Sequence, residues 1–150
     1  TREELEVVAI NDLGDIDNLA YLLKYDTVYG KFDKEVSIKE KDYKKHLVVN
    51  GHDFLFIQEK DPVLLPWGVL DIDIVVEATG IYDSFEKAQV HIKAGAKRVV
   101  ITAPAKDADG AAGQTVLMGI NDDNLKTCAI SSNGSCTTNS ISSVMQILVE

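Results

Sequence analysis

Short apolar runs, each stopped by a small or polar residue, constrain this chain more than any other feature. Glu6-Val7-Val8-Ala9-Ile10 halts at Asn11-Asp12, Asp71 to Glu77 runs into Ala78-Thr79-Gly80-Ile81-Tyr82, and Arg98-Val99-Val100-Ile101 ends at Thr102-Ala103-Pro104. Such runs read as strands of a buried parallel sheet, and Thr115 to Ile120 and Thr127 to Ser131 extend the series. Helical spacing lies between them. Ile16, Leu19, Ala20 and Leu23 share one face over Asp15 to Tyr25, and Asp83-Ser84-Phe85-Glu86 has the form of a capping box opening a helix that Gly95 closes. His91 rides in that helix and reads as structural. Strands alternating with helices predict an α/β fold with a doubly wound parallel sheet.

Phe32 to Gln58 changes character. Glu35 to Lys39, His46 to Val49 and Asp53 to Ile57 alternate like ribbon strands, and Asn50-Gly51 is the sequence of a type I′ hairpin turn. An inserted β-ribbon follows, with His46 and His52 expected at its solvent-exposed surface. Asp61 is the expected N-cap of a short helical turn that Pro62 opens. Lys106 to Gly113 is a Gly/Ala/Asp-rich loop.

A chain of 150 residues, 45% hydrophobic, can bury a core, but its net charge of -9 opposes binding to nucleic acid or anionic lipid. Any phosphate must be held locally, by backbone N–H groups and hydroxyls. No apolar run approaches the roughly 20 residues that span a bilayer, and Thr1-Arg2-Glu3-Glu4-Leu5-Glu6 lacks a signal-peptide core, so a cytoplasmic location is expected. The two cysteines have no metal-ligand spacing and no metal site is expected; Cys128 reads as inert packing within an apolar strand.

Cys136 is different. Ser132-Asn133-Gly134-Ser135-Cys136-Thr137-Thr138-Asn139 stands between the Thr127 to Ser131 strand and a helix carrying Ile141, Val144, Met145 and Leu148, which puts Cys136 at a helix N-terminus. Unpaired N–H groups and the positive end of the helix dipole favour an anion there, and a thiolate is one. Ser135 and Thr137 can cap the helix or hold a phosphate.

This octapeptide resembles the active-site segment of phosphorylating glyceraldehyde-3-phosphate dehydrogenases. Ala9-Ile10-Asn11-Asp12 and the run from Asn18 to Phe32 resemble the same family, so the likeness covers essentially the whole chain. The resemblance implies a Rossmann-type sheet lacking its first strand, with residues 1–134 a partial NAD-binding domain and 135–150 the start of a catalytic domain. It implies Cys136 as nucleophile, Ser135 and Thr137 at the substrate phosphate, and Asp12, Lys60, Thr79, Gly80, Tyr82 and Thr102 at NAD. Asp12 would accept the ribose hydroxyls and repel a 2′-phosphate, favouring NAD over NADP.

Its further implications are glyceraldehyde 3-phosphate and inorganic phosphate as substrates, and a homotetramer at full length. The family's glycine loop and catalytic histidine would lie before and after the present residues, so these alone are expected to be inactive. The chain departs from the family pattern at Lys60, where Arg is usual, at Gly134, where Ala is usual, and at Ser140, where a second Cys is frequent. The rival readings are an erythrose-4-phosphate dehydrogenase and a non-catalytic interaction module.

Overall fold

The computed structural model describes residues 4–149; the first three residues of the Thr1 to Glu6 stretch, read above for a signal-peptide core, lie outside the described residues. The chain divides into two compact units, one running to Asp61 and the other starting at Pro62.

The first unit comprises β1 (Ala9–Asn11), α1 (Ile16–Lys24), a small hairpin of β2 (Tyr25–Asp26) and β3 (Gly30–Lys31), then β4 (Val36–Lys41), β5 (Lys44–Val49) and β6 (His52–Ile57). Asp15 opens α1 as its N-cap, its Oδ1 accepting the N–H groups of Asp17 and Asn18 at 3.1 and 3.2 Å. The sheet order is β1-β6-β5-β4; β1 and β6 run parallel and the ribbon strands antiparallel. Asn50 and Gly51 both take positive φ, as the turn type requires. Ile16, Leu47 and Phe56 form the core, and the apolar face of α1 seats Leu19 and Ala20 against it. His52 is exposed as expected, whereas His46 is half-buried with its Nδ1 inaccessible. Its strand is the middle one of the ribbon, with Lys39 on one side and Leu55 on the other.

The second unit begins with a 3-10 turn at Pro62–Leu64 and continues through β7 (Ile74–Glu77), α2 (Phe85–Lys93), β8 (Arg98–Ile101), β9 (Gln114–Thr115), β10 (Ile130–Ser132) and α3 (Cys136–Val149). Its sheet, ordered β7-β8-β10-β9, is parallel throughout. Phe85 and Ala88 of α2 pack on Val99, Ile101 and Ile130 to make the core.

Several boundaries differ from expectation, each for a local reason. The α2 cap is Ser84, whose hydroxyl accepts the Lys87 N–H at 3.2 Å. Asp83 instead pairs with Lys106 and Lys87, at 2.5 and 3.2 Å, and these partners hold its carboxyl below the usual range. The strand expected over Thr115 to Ile120 stops at Thr115, because the Asn121 side chain accepts the Leu117 N–H and donates to the Thr115 carbonyl. A 3-10 turn over Asp122–Lys126 delays β10 to Ile130.

β7 is buried on one face only. Val75 and Glu77 are buried while Ile74 and Val76 are 47% and 63% exposed, since β7 ends its sheet with β8 as its single strand neighbour among the described residues. Likewise β1 has only β6. The neighbour pairs β6-β1 and β7-β8-β10 reproduce strands 3-2 and 4-5-6 of the Rossmann order, with no first strand among the described residues.

Candidate active site

Cys136 is the first helical residue of α3, and it is exposed. The preceding loop is held by its own polar groups. Ser132, fully buried at the end of β10, donates its hydroxyl to the Ala103 carbonyl at 2.6 Å and accepts the Gly134 N–H at 3.1 Å. Gly134 adopts a φ of +70°, turning the chain into the helix. Ser135 Oγ accepts the Thr138 N–H at 3.0 Å and lies within hydrogen-bond reach of the Thr137 and Thr138 hydroxyls, so it caps the helix. The Asn139 amide donates to the carbonyls of Asn133 and Ser135, at 2.7 and 2.9 Å, tying the first turn to the loop. Cys128 is half-buried, short of β10.

Because β7, β8 and β10 are parallel, the segments leaving their C-termini emerge at one edge of the second unit's sheet: Thr79 to Tyr82 from β7, Thr102 from β8 and Ser135 to Thr137 from β10. Thr102 donates its N–H and its hydroxyl to the Glu77 carbonyl, at 3.0 and 3.2 Å. Gly80 has a φ of +72° and open space where a Cβ would stand, which suits close approach of a ligand to backbone.

Glu77 is a buried polar residue that no sequence motif marks. The residue is 4% exposed, with Oε1 accepting the N–H of Thr79 at 2.7 Å and also its hydroxyl, and Oε2 set 2.8 Å from His91 Nε2. Burial alone would push this carboxyl up, but the hydrogen bonds from His91 and Thr79 outweigh it and hold the group below its ordinary value. The strand period puts the Glu77 carboxylate on the face of Val75, but Ile74, Val75 and Val76 are all apolar, so nothing in the sequence marks that face as the buried one. His91, expected to be structural, is buried in α2, and its ring stands edge-on to Tyr82 with centroids 5.8 Å apart.

In the first unit, Asp12 follows β1 and is exposed, its Oδ1 accepting the Gly14 N–H at 2.7 Å. Asn11 was not singled out from sequence, yet its side chain accepts from the Glu59 N–H and donates to the Glu59 carbonyl, at 2.9 and 3.0 Å. That pair ties the C-terminal ends of β1 and β6 together and fixes exposed Lys60 beside them.

A family model described as "Glyceraldehyde 3-phosphate dehydrogenase, NAD binding domain" matches residues 1–85. The chain belongs to that family. It is 45% identical over 150 residues to glyceraldehyde-3-phosphate dehydrogenase 2 of Bacillus subtilis, covering 99% of this chain and 42% of the relative. It is 47% identical over 148 residues to glyceraldehyde-3-phosphate dehydrogenase of Thermotoga maritima, covering 98% and 42%, and 44% identical over 147 residues to the chloroplastic glyceraldehyde-3-phosphate dehydrogenase A of Scenedesmus vacuolatus, covering 97% and 45%. The chain thus spans a little over two fifths of the length of these relatives.

Membership in this dehydrogenase family makes NAD the cofactor of the domain. The residues present fit it chemically. In the first unit, an exposed carboxylate at Asp12 can accept from a diol; in the second, the exposed backbone at Gly80, with open space where a Cβ would stand, suits close approach of a flat ligand.

Proposed function

We propose that the full-length protein carrying this chain is a phosphorylating glyceraldehyde-3-phosphate dehydrogenase, with residues 1–134 contributing to NAD binding and 135–150 opening the catalytic domain. One observation supports this above all: an exposed cysteine at the first position of a helix, on the same sheet edge as the Thr79-Gly80 turn and Thr102. In this reading Asp12 takes the adenosine ribose hydroxyls, Lys60 and Tyr82 lie toward the adenine, Thr79 and Gly80 line the cofactor, and Thr102 faces the nicotinamide end.

The chemistry starts at sulfur. Cys136 Sγ as thiolate attacks the aldehyde carbon, forming a C–S bond while the carbonyl oxygen takes the electron pair and then a proton, giving a thiohemiacetal. The Cys136 N–H, at the helix start, is placed to stabilise the developing oxyanion. Bound NAD supplies the hydride acceptor for oxidation to the thioester. Inorganic phosphate then attacks the acyl carbon and Cys136 leaves as thiolate, releasing 1,3-bisphosphoglycerate; Thr137 and Ser135 hold the phosphate. The reading includes a homotetramer in the cytoplasm, a placement supported by the resemblance, although one relative is described as chloroplastic.

The test is an assay of the full-length protein with NAD, phosphate and each of two aldehydes. Glyceraldehyde 3-phosphate turnover that disappears in Cys136→Ser and after iodoacetamide supports the reading. Preference for erythrose 4-phosphate moves the substrate assignment, and full activity after alkylation of Cys136 sinks the mechanism.

A further inference from the structure

A continuous chain of hydrogen bonds crosses the interior of the second unit and ends on the turn assigned to the cofactor. Trp67 Nε1 stands 3.3 Å from His91 Nδ1, and since indole N–H only donates, Nδ1 must accept. The neutral ring therefore carries its proton on Nε2, which donates to Glu77 Oε2 at 2.8 Å. Glu77 Oε1 in turn accepts the N–H and the hydroxyl of Thr79, and Thr79 Oγ1 accepts the Ile81 N–H at 3.1 Å. Trp67, His91 and Glu77 are each 5% exposed or less.

Such an arrangement is a poor way to build a core. A buried carboxylate and imidazole carry desolvation costs that apolar residues of similar volume avoid, and the strand already presents Val75 on the same face. What the chain supplies is direction. The carboxylate spans from α2 to the loop after β7, aims two hydrogen-bond donors of Thr79 inward, and leaves Gly80 at positive φ outward. The same residue's carbonyl receives the N–H and hydroxyl of Thr102, and the His91 ring abuts Tyr82. Three of the residues assigned to NAD thus touch Glu77 or His91.

We propose that Trp67, His91 and Glu77 are positioning residues: Trp67 fixes the His91 tautomer, His91 fixes the Glu77 rotamer, and Glu77 sets the Thr79–Ile81 turn in the geometry that receives NAD. The assignment rests on the NAD reading of that turn.

The experiment uses the full-length protein and reads NAD KM against kcat, Thr79 amide exchange, and the nitrogen-15 shifts of the His91 ring. Wild type should show a proton on Nε2 and none on Nδ1. His91→Leu should raise the NAD KM about tenfold and speed Thr79 exchange by a similar factor while kcat at saturating NAD is largely kept, the loss expected for a hydrogen bond to a charged acceptor. His91→Gln, whose amide can still donate to Glu77, should stay within about threefold of wild type. Trp67→Phe should let the proton reach Nδ1. Equal impairment of the Leu and Gln variants would reduce His91 to packing and overturn the proposal, as would a proton on Nδ1 in wild type. Should His91→Leu fail to fold, the Gln variant and the ring shifts still decide. A wild type that binds no NAD refutes the cofactor reading alone, and the exchange and ring measurements then judge the chain.

Discussion

Ser135 is assigned two tasks, capping α3 and holding phosphate, and a pair of substitutions separates them. Its Oγ accepts the Thr138 N–H at 3.0 Å, and no residue of α3 is buried among the described ones, so the first turn is held by side-chain hydrogen bonds, from Ser135 and the Asn139 amide on its N-terminal side and from the Ser140 and Ser142 hydroxyls to the Thr137 and Thr138 carbonyls, and not by packing. Ser135→Ala removes the cap at a cost of about 1 kcal/mol, which corresponds to about fivefold in the opening equilibrium of that turn. The Thr138 amide should exchange about fivefold faster. Ser135→Asp keeps a good N-cap acceptor, and exchange at Thr138 should stay near wild type. Its charge would oppose an anion, however, and a like charge about 4 Å away disfavours phosphate by at least about fivefold even with the dielectric of water. The phosphate KM should therefore rise in the Asp variant although its helix start is intact. Hydrogen exchange by mass spectrometry and steady-state kinetics on the full-length protein provide the readouts. An Asp variant with wild-type phosphate KM would remove Ser135 from the phosphate site. An Ala variant with unchanged Thr138 exchange would refute the cap argument.

Asp12→Ser should raise the ratio of NADP to NAD use by about tenfold or more, since the carboxylate that repels a 2′-phosphate is gone; an unchanged ratio of kcat/KM values would dismiss Asp12 as the discriminating group. The Glu77 carboxyl lies below its ordinary value of 4.5 in the fold, so the stability it confers is present above that pH and is lost as pH falls through the folded value. Denaturant midpoints of wild type and Glu77→Gln should accordingly converge below about pH 4.5, and a gap independent of pH would contradict the linkage. Gly113→Ala would drive a methyl into the Phe85 ring and the Ile130 carbonyl, both fully buried, and should destabilise by about 1–3 kcal/mol. Calorimetry showing no loss would mean that the loop between β8 and β9 yields more easily than its contacts suggest.

Local signals carried much of this fold into the sequence. Asp15 and the Ile16, Leu19, Ala20, Leu23 stripe gave α1 to within a residue, because cap and amphipathic face are both short-range. Asn50-Gly51 gave the ribbon turn for the same reason. Failures arose where a side chain from elsewhere decided the outcome. Asn121 ended β9, and Lys106 drew Asp83 away from the cap that Ser84 then took. The burial of β7 depended on its place in the sheet, which no window of sequence contains. Of the candidate site, Cys136 at a helix start was legible because strand, turn and helix are contiguous. The Glu77–His91 contact joins residues 14 apart across a strand and a helix, so neither half signalled the other.

Charge distribution adds a separate argument for Cys136. Helix N-termini favour carboxylates, and an acidic protein has many to spare. α1 opens with Asp15 and Asp17, α2 has Glu86 in its first turn, and the 3-10 turn after β9 begins Asp122-Asp123. α3 alone among the three described helices has no acidic residue in its first turn; Cys136, Thr137 and Thr138 occupy it, capped by the neutral Ser135. In a chain of net charge -9, α3 is thus the one of the three described α-helices whose N–H groups and dipole are not already matched by a carboxylate in the first turn. A thiolate at Cys136 or a phosphate beside it would be the anion that completes this terminus, and it would come from the chemistry instead of from the sequence. The same acidity works at longer range against anions approaching the protein, so their retention must depend on this short-range set of donors.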